Sequence, residues 1–130
     1  AWIAPPYVPY APALADAGID VSRVLLVHAR DDVRSLWATE QALRSAGCEV
    51  VLAWADKAAG QSLRRLQLAA EENVLPVILF RPAAALEAPS PAVLRLHLAA
   101  GDQACLAVVK SRGGRPARLP IRDLFDQVHA

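Results

Sequence analysis

Four short apolar runs punctuate the first part of the chain, at Trp2-Ile3-Ala4, Arg23 to His28, Glu49 to Trp54 and Val77 to Phe80. The third, E-V-V-L-A-W, follows a helix that ends at Gly47. Consecutive apolar residues there predict a strand buried on both faces, the centre of a parallel sheet. Helical periodicity separates the runs. Pro9 and Pro12 open a weak helix through Ala13, Leu14 and Ala15 that stops at Gly18. Asp31 and Asp32 favour the start of a second helix, which runs to about Ser45. Its apolar stripe is Val33, Leu36, Trp37 and Leu43, with Glu40 snorkelling at the stripe's edge. Gln61 to Asn73 forms a third, with Leu63, Leu66, Ala70 and Val74 on one face and Arg64 and Arg65 off it. Strand and helix in alternation predict an α/β domain with a parallel sheet, and the right-handed crossover rule puts helices on both faces.

After Pro82 the pattern changes. Val93 to Leu98 alternates apolar and polar, turns at Gly101-Asp102 and returns through Cys105 to Val109. That is an antiparallel hairpin with one solvated face, and His97 lies on its polar register with Arg95. Lys110 to Arg118 reads as a flexible basic loop, and Ile121 to Val128 as a short terminal helix. The chain is thus expected to be one domain over 1–130, with a parallel part at 1–82 and a hairpin with terminal segment at 91–130.

Composition adds limits. A length of 130 residues, 55% hydrophobic and 21% charged, suits one globular domain. The formal net charge of +1 gives no global footprint for nucleic acid, so a basic surface would have to be local. Cys48 and Cys105 are far apart, outside any metal-type spacing, and read as two free thiols of a reducing cytoplasm. No run is long and apolar enough to span a membrane, and no leader suggests export. The chain has no Met and opens on an apolar stretch, the signature of a fragment lacking its N-terminal portion.

Candidate chemistry is sparse. No P-loop and no nucleophile elbow occur, and His28, His97 and His129 have no metal-type spacing. His28 ends a strand near Asp31 and Asp32, a cluster better read as helix capping than as a catalytic pair. One charge cluster stands out: Lys110, Arg112, Arg115 and Arg118, around two glycines. It could contact phosphates or an acidic partner, and a solvated hairpin exit explains the same residues. No aromatic is interleaved, so a base-stacking platform is not supported.

Longer stretches carry a family resemblance. W-I-A-P-P-Y-V-P-Y-A-P-A-L-A-D-A-G-I-D, then R-V-L-L-V, L-W-A-T-E-Q-A-L-R-S and V-V-L-A-W, followed by L-R-R-L-Q-L-A-A-E and L-F-R-P-A-A-A, resemble ImuA, a degenerate relative of the RecA-type recombinase core. The match extends through Ala85, about two-thirds of the chain. SulA, the division inhibitor that binds FtsZ, is similar to the same core. The resemblance implies a RecA-like three-layer α/β core, mainly parallel, with strands in the order Val24, Trp2, Val51, Ile78 and a C-terminal antiparallel hairpin. It also sets the departures. Pro6 stands where the recombinase pattern has its catalytic glutamate, and Trp54 where it has the Walker B aspartate. Phe80, Arg81 and Pro82 replace its nucleotide-sensing pair. Without both carboxylates, phosphoryl transfer lacks its water-positioning group and a metal anchor. The expectation is a non-catalytic protein with no cofactor and no metal, an accessory of SOS-induced mutagenic translesion DNA synthesis. Its implied partners are the Y-family-related ImuB, an error-prone DnaE-class polymerase and RecA, with DNA contact indirect or weak. It is expected in the cytoplasm, nucleoid-associated when active. The alternative is a SulA-like inhibitor of FtsZ. If the Walker A strand is absent, the Val77 to Phe80 edge becomes a template for self-association.

Overall fold

The computed structural model describes residues 1–101 and 104–122. The chain divides into two compact units, Ala1–Pro91 and Ala92–Ala130.

In the first unit β1 (Trp2–Ile3), β2 (Leu26–Val27), β3 (Val51–Trp54) and β4 (Val77–Phe80) form one parallel sheet in the order β2-β1-β3-β4. This is the strand order expected. Alternation along each strand decides what is buried. Ile3, Val51 and Ala53 point into a core completed by Leu43, Leu66, Ala69 and Leu75, with Val27, Val77 and Leu79 packed against it. Two helices cover that face, α2 (Asp32–Arg44) and α3 (Gly60–Asn73); α1 (Ala11–Asp16) lies between β1 and β2.

The expected layer on both faces is a correction. The chain steps one way from β1 to β2, then back across to β3 and on to β4. Right-handed crossovers therefore bring α2 and α3 to the same face. The first connection would serve the other face, but α1 is six residues long with none buried. Residues 1–91 thus form two layers rather than three, and Trp2, Leu52, Trp54, Ile78 and Phe80 of the second face are half-buried or exposed.

Three further expectations change in detail. The second strand is shorter than Arg23 to His28, because Val21–Arg23 is a 3-10 turn. The Asp20 carboxylate accepts from Ser22 Oγ at 2.6 Å and Ser22 N at 3.0 Å, a local bond that competes with strand pairing. The Ser22 hydroxyl, then its N–H, with Arg23 nearby, holds the Asp20 carboxyl below the usual carboxylate range. On α2 the buried residues are Ser35, Thr39, Glu40 and Leu43, while Val33 and Trp37 are exposed, Trp37 to 61%. Small hydroxyl residues let the helix approach the sheet, and each is satisfied. Ser35 Oγ donates to the Trp54 carbonyl and Thr39 Oγ1 to the Ser35 carbonyl, both at 2.7 Å.

Glu40 does not snorkel. It is 7% exposed and accepts from Arg44 Nε at 3.2 Å and from Arg65 Nη2, so it ties α2 to α3. Val74 also leaves the predicted face. It takes the left-handed conformation (φ 50) as the α3 C-cap and is 90% exposed. That reversal swings Leu75 into the core instead, held by its N–H to the Ala70 carbonyl at 3.0 Å.

The second unit is a three-stranded antiparallel sheet, β5 (Leu94–Ala99), β6 (Cys105–Ser111) and β7 (Ala117–Pro120), in that order. The hairpin was legible; β7 was not. Pro116 and Pro120 read as breakers, yet proline is tolerated on an edge strand, where no ladder N–H is needed. The basic stretch is therefore the end of β6, a turn and the start of β7, rather than a flexible loop. The Leu94, Leu96 and Leu98 face is the more exposed one, and Arg95 and His97 are half-buried. The solvated face is the reverse of the one expected, since no helix among the described residues of this unit covers the leucines. The expected helix from Ile121 to Val128 lies almost wholly outside the described residues, as does Asp102 of the predicted turn.

Candidate functional site

Parallel strands bring their carboxyl ends to one side, which is where open α/β sheets bind ligands. Here those ends open onto a cleft of about 470 Å³. Pro6, Trp54 and the consecutive Phe80, Arg81 and Pro82, from three separate stretches of the sequence, all line it. So do Arg30, Asp31 and Asp32 at the start of α2.

Its wall is aromatic. Trp54 and Phe80, partners in the β3–β4 register, stack with centroids 4.7 Å apart and planes 13° apart. Trp2 tilts against Trp54 at 5.9 Å and 40°. Same-face residues of neighbouring parallel strands must meet in this way, so the stack follows from register. Trp2 was not singled out in the sequence, although alternation with the buried Ile3 places it on the face of Trp54.

The carboxylates at the rim already hold backbone. Asp31 caps α2, accepting from Arg34 N at 2.8 Å. Asp32 accepts from Lys57 N at 2.8 Å and Asp56 N at 3.1 Å, fixing the β3–α3 connection to the helix start. Arg81 donates from Nη2 to the Ala58 carbonyl at 3.5 Å, while its buried Nε meets no acceptor among the described residues. His28 is exposed just beyond β2 and does not line the cleft. Tyr7 and Tyr10, in the segment after β1, are also exposed, Tyr7 to 84%. The arrangement offers stacked rings, prolines and arginine, chemistry suited to burying another protein's side chain.

The four basic residues are placed separately, in the second unit. Lys110 is near the end of β6 and Arg118 in β7, while Arg112 and Arg115 sit in the turn between them, around Gly113 at φ 79.

These features define an α/β protein with a four-stranded parallel sheet and an aromatic strand-end cleft. No protein-family model matches the chain, and no curated protein does. Among solved structures it is similar to SulA from Pseudomonas aeruginosa. The two are 26% identical, with a TM-score of 0.53 over 62% of this chain and 69% of the other. The chain has a SulA-like fold over the matched part.

Proposed function

We propose that this chain is a non-catalytic protein-interaction module of the SOS response, docking its partner on the aromatic strand-end cleft. The observation that carries the reading is the convergence of Pro6, Trp54, Phe80, Arg81 and Pro82 on one cleft. Where a phosphoryl-transfer site needs free carboxylates for metal and water, these strand ends supply rings and prolines. The acids that are nearby, Asp31 and Asp32, accept backbone N–H groups.

The sequence resemblance makes the partners those of an ImuA-type accessory of translesion synthesis: ImuB, an error-prone DnaE-class polymerase and RecA. The stretches from Leu36 to Ser45 and Leu63 to Glu71, and the continuation to Arg115-Pro116, support that choice. No helix among the described residues is long and apolar enough to cross a membrane. The same resemblance makes the proposed location the cytoplasm, at the nucleoid when active. A second reading, inhibition of FtsZ, is favoured by the likeness to SulA.

One paired experiment separates them. The chain is immobilised and titrated with ImuB, and separately added to polymerising FtsZ. Micromolar binding of ImuB, weakened at least tenfold by Trp54→Ala, supports the first reading, since a buried aromatic anchor is worth about 2 kcal/mol or more. Loss of FtsZ assembly without ImuB binding supports the second. Binding that ignores Trp54→Ala removes the cleft from either account.

A further inference from the structure

The net charge of the whole chain conceals a separation of charge. Residues 92–130 carry Arg95, Lys110, Arg112, Arg115, Arg118 and Arg122 against three acids, Asp102, Asp123 and Asp126, whereas residues 1–91 hold more acids than bases. The strand register then sorts these cations. His97 pairs with Ala107, and Ala107 with Arg118, so all three side chains share a face of the second sheet. Leu96 pairs with Val108, and Leu98 with Leu106 and through it Leu119, on the opposite face.

Strict alternation along β6 would put Lys110 with Leu106 and Val108 among the leucines. It does not land there. The register shifts between Arg95 and Leu96, and Lys110 pairs with Arg95 instead. The extra residue, Val109, is a β-bulge, and a bulge re-aims the side chain that follows it. One irregularity therefore moves Lys110 onto the face of Arg95, His97 and Arg118. Beyond it the turn carries Arg112 and Arg115, both exposed, around Gly113 and Gly114. The side chains of Arg112, Arg115 and Arg118 meet no carboxylate among the described residues.

We propose that the β6–β7 turn is a nucleic-acid contact, the exposed Arg112 and Arg115 with Arg118 at the start of β7 gripping the phosphodiester backbone. β6 is the central strand of a three-stranded sheet, so the contact is made from its edge, where the turn between β6 and β7 projects the exposed Arg112 and Arg115. With arginines and a glycine turn but no aromatic ring, it grips phosphate rather than stacking on bases. A lipid surface fits less well, because a membrane needs the cations and the leucines on one side and the register puts them on opposite sides. This contact is independent of the cleft, which belongs to the other unit.

Fluorescence anisotropy of the full chain with a labelled DNA duplex, and with one of its strands, tests the proposal. Three phosphate contacts from Arg112, Arg115 and Arg118 give a log–log salt slope of about −2.7, roughly a fortyfold loss of affinity between about 50 and 200 mM salt. Arg112→Ala with Arg115→Ala lowers that slope to about −1, each arginine accounting for about one. Arg64→Ala, on α3, leaves binding unchanged. Circular dichroism of the double variant, altered only in exposed turn residues, matches that of the parent. The proposal is overturned by absent or salt-independent DNA binding, or by a double variant that binds as the parent does. Poly-glutamate binding as tightly as DNA also overturns it, as does capture of inorganic tripolyphosphate without DNA.

Discussion

Glu40 shows how a single residue can contradict its pattern. On a helical wheel it falls beside Leu36 and Leu43, where a charge looks like an edge residue. In three dimensions α3 crosses close by and Arg65 reaches it, with Arg44 approaching from one turn along α2. A buried carboxylate is tolerated only when paired, and removing one partner strands the others. The arginines are 48% and 58% exposed, so solvent takes up much of that loss. Glu40→Ala is expected to cost about 1–2 kcal/mol, well below the cost for a fully buried pair. Trp37→Ala, on the exposed side of the same helix, should lie within about 0.5 kcal/mol of the parent. Urea denaturation of the two variants decides between this burial and the hydrophobic stripe, which predicts the opposite ranking.

At the scale of elements, the ends of helices were more legible than their faces. The Asp31 cap and the left-handed α3 terminus are local events, set by a side chain and a few backbone angles. The stop after Asn73 was read correctly although no glycine marks it. The structure shows why one would help: Val74 is β-branched, exposed and at φ 50, a conformation that strains any residue with a Cβ. Val74→Gly should therefore raise stability by about 1 kcal/mol, measured as an upward shift of the denaturation midpoint. The reverse result would mean that Val74 makes an unrecognised contact. Faces failed where packing partners are non-local. α2 buries serine and threonine because it lies close against β3, and no periodicity of its own sequence encodes that.

At the scale of the whole molecule, two things are left open within residues 1–91, taken by themselves: the edge of β4 and the second face of the parallel sheet. β4 is the last strand in the order β2-β1-β3-β4, so one row of its N–H and C=O groups lacks a strand neighbour within that sheet. Ile78 and Phe80 are exposed beside it. An apolar, unprotected edge is a template for another strand. We expect concentration-dependent self-association through β4, removed by Ile78→Lys, which puts a charge on the exposed face without touching the core. Light scattering across a concentration series measures it, and association that survives the substitution excludes this edge. The separation of charge is legible only at this scale. The sum over the chain hides it, and the register that gathers Lys110 with Arg118 depends on a bulge.

What the sequence determined by itself is the parallel α/β character, the helix starts and the hairpin, each resting on short-range chemistry: apolar runs, caps and turns. The strand order came only with the resemblance to the recombinase core. The positions of Pro6, Trp54, Phe80, Arg81 and Pro82 were also visible there, though as departures from a pattern rather than as a surface. Tertiary structure alone decided that these five residues share one cleft, that Glu40 is buried, that α2 and α3 share a face, and that a third strand follows the basic turn. Those outcomes depend on residues far apart in the chain, and on a one-residue bulge that reverses every side chain beyond it. No local pattern carries that information, because facing is settled only when a partner strand or helix arrives.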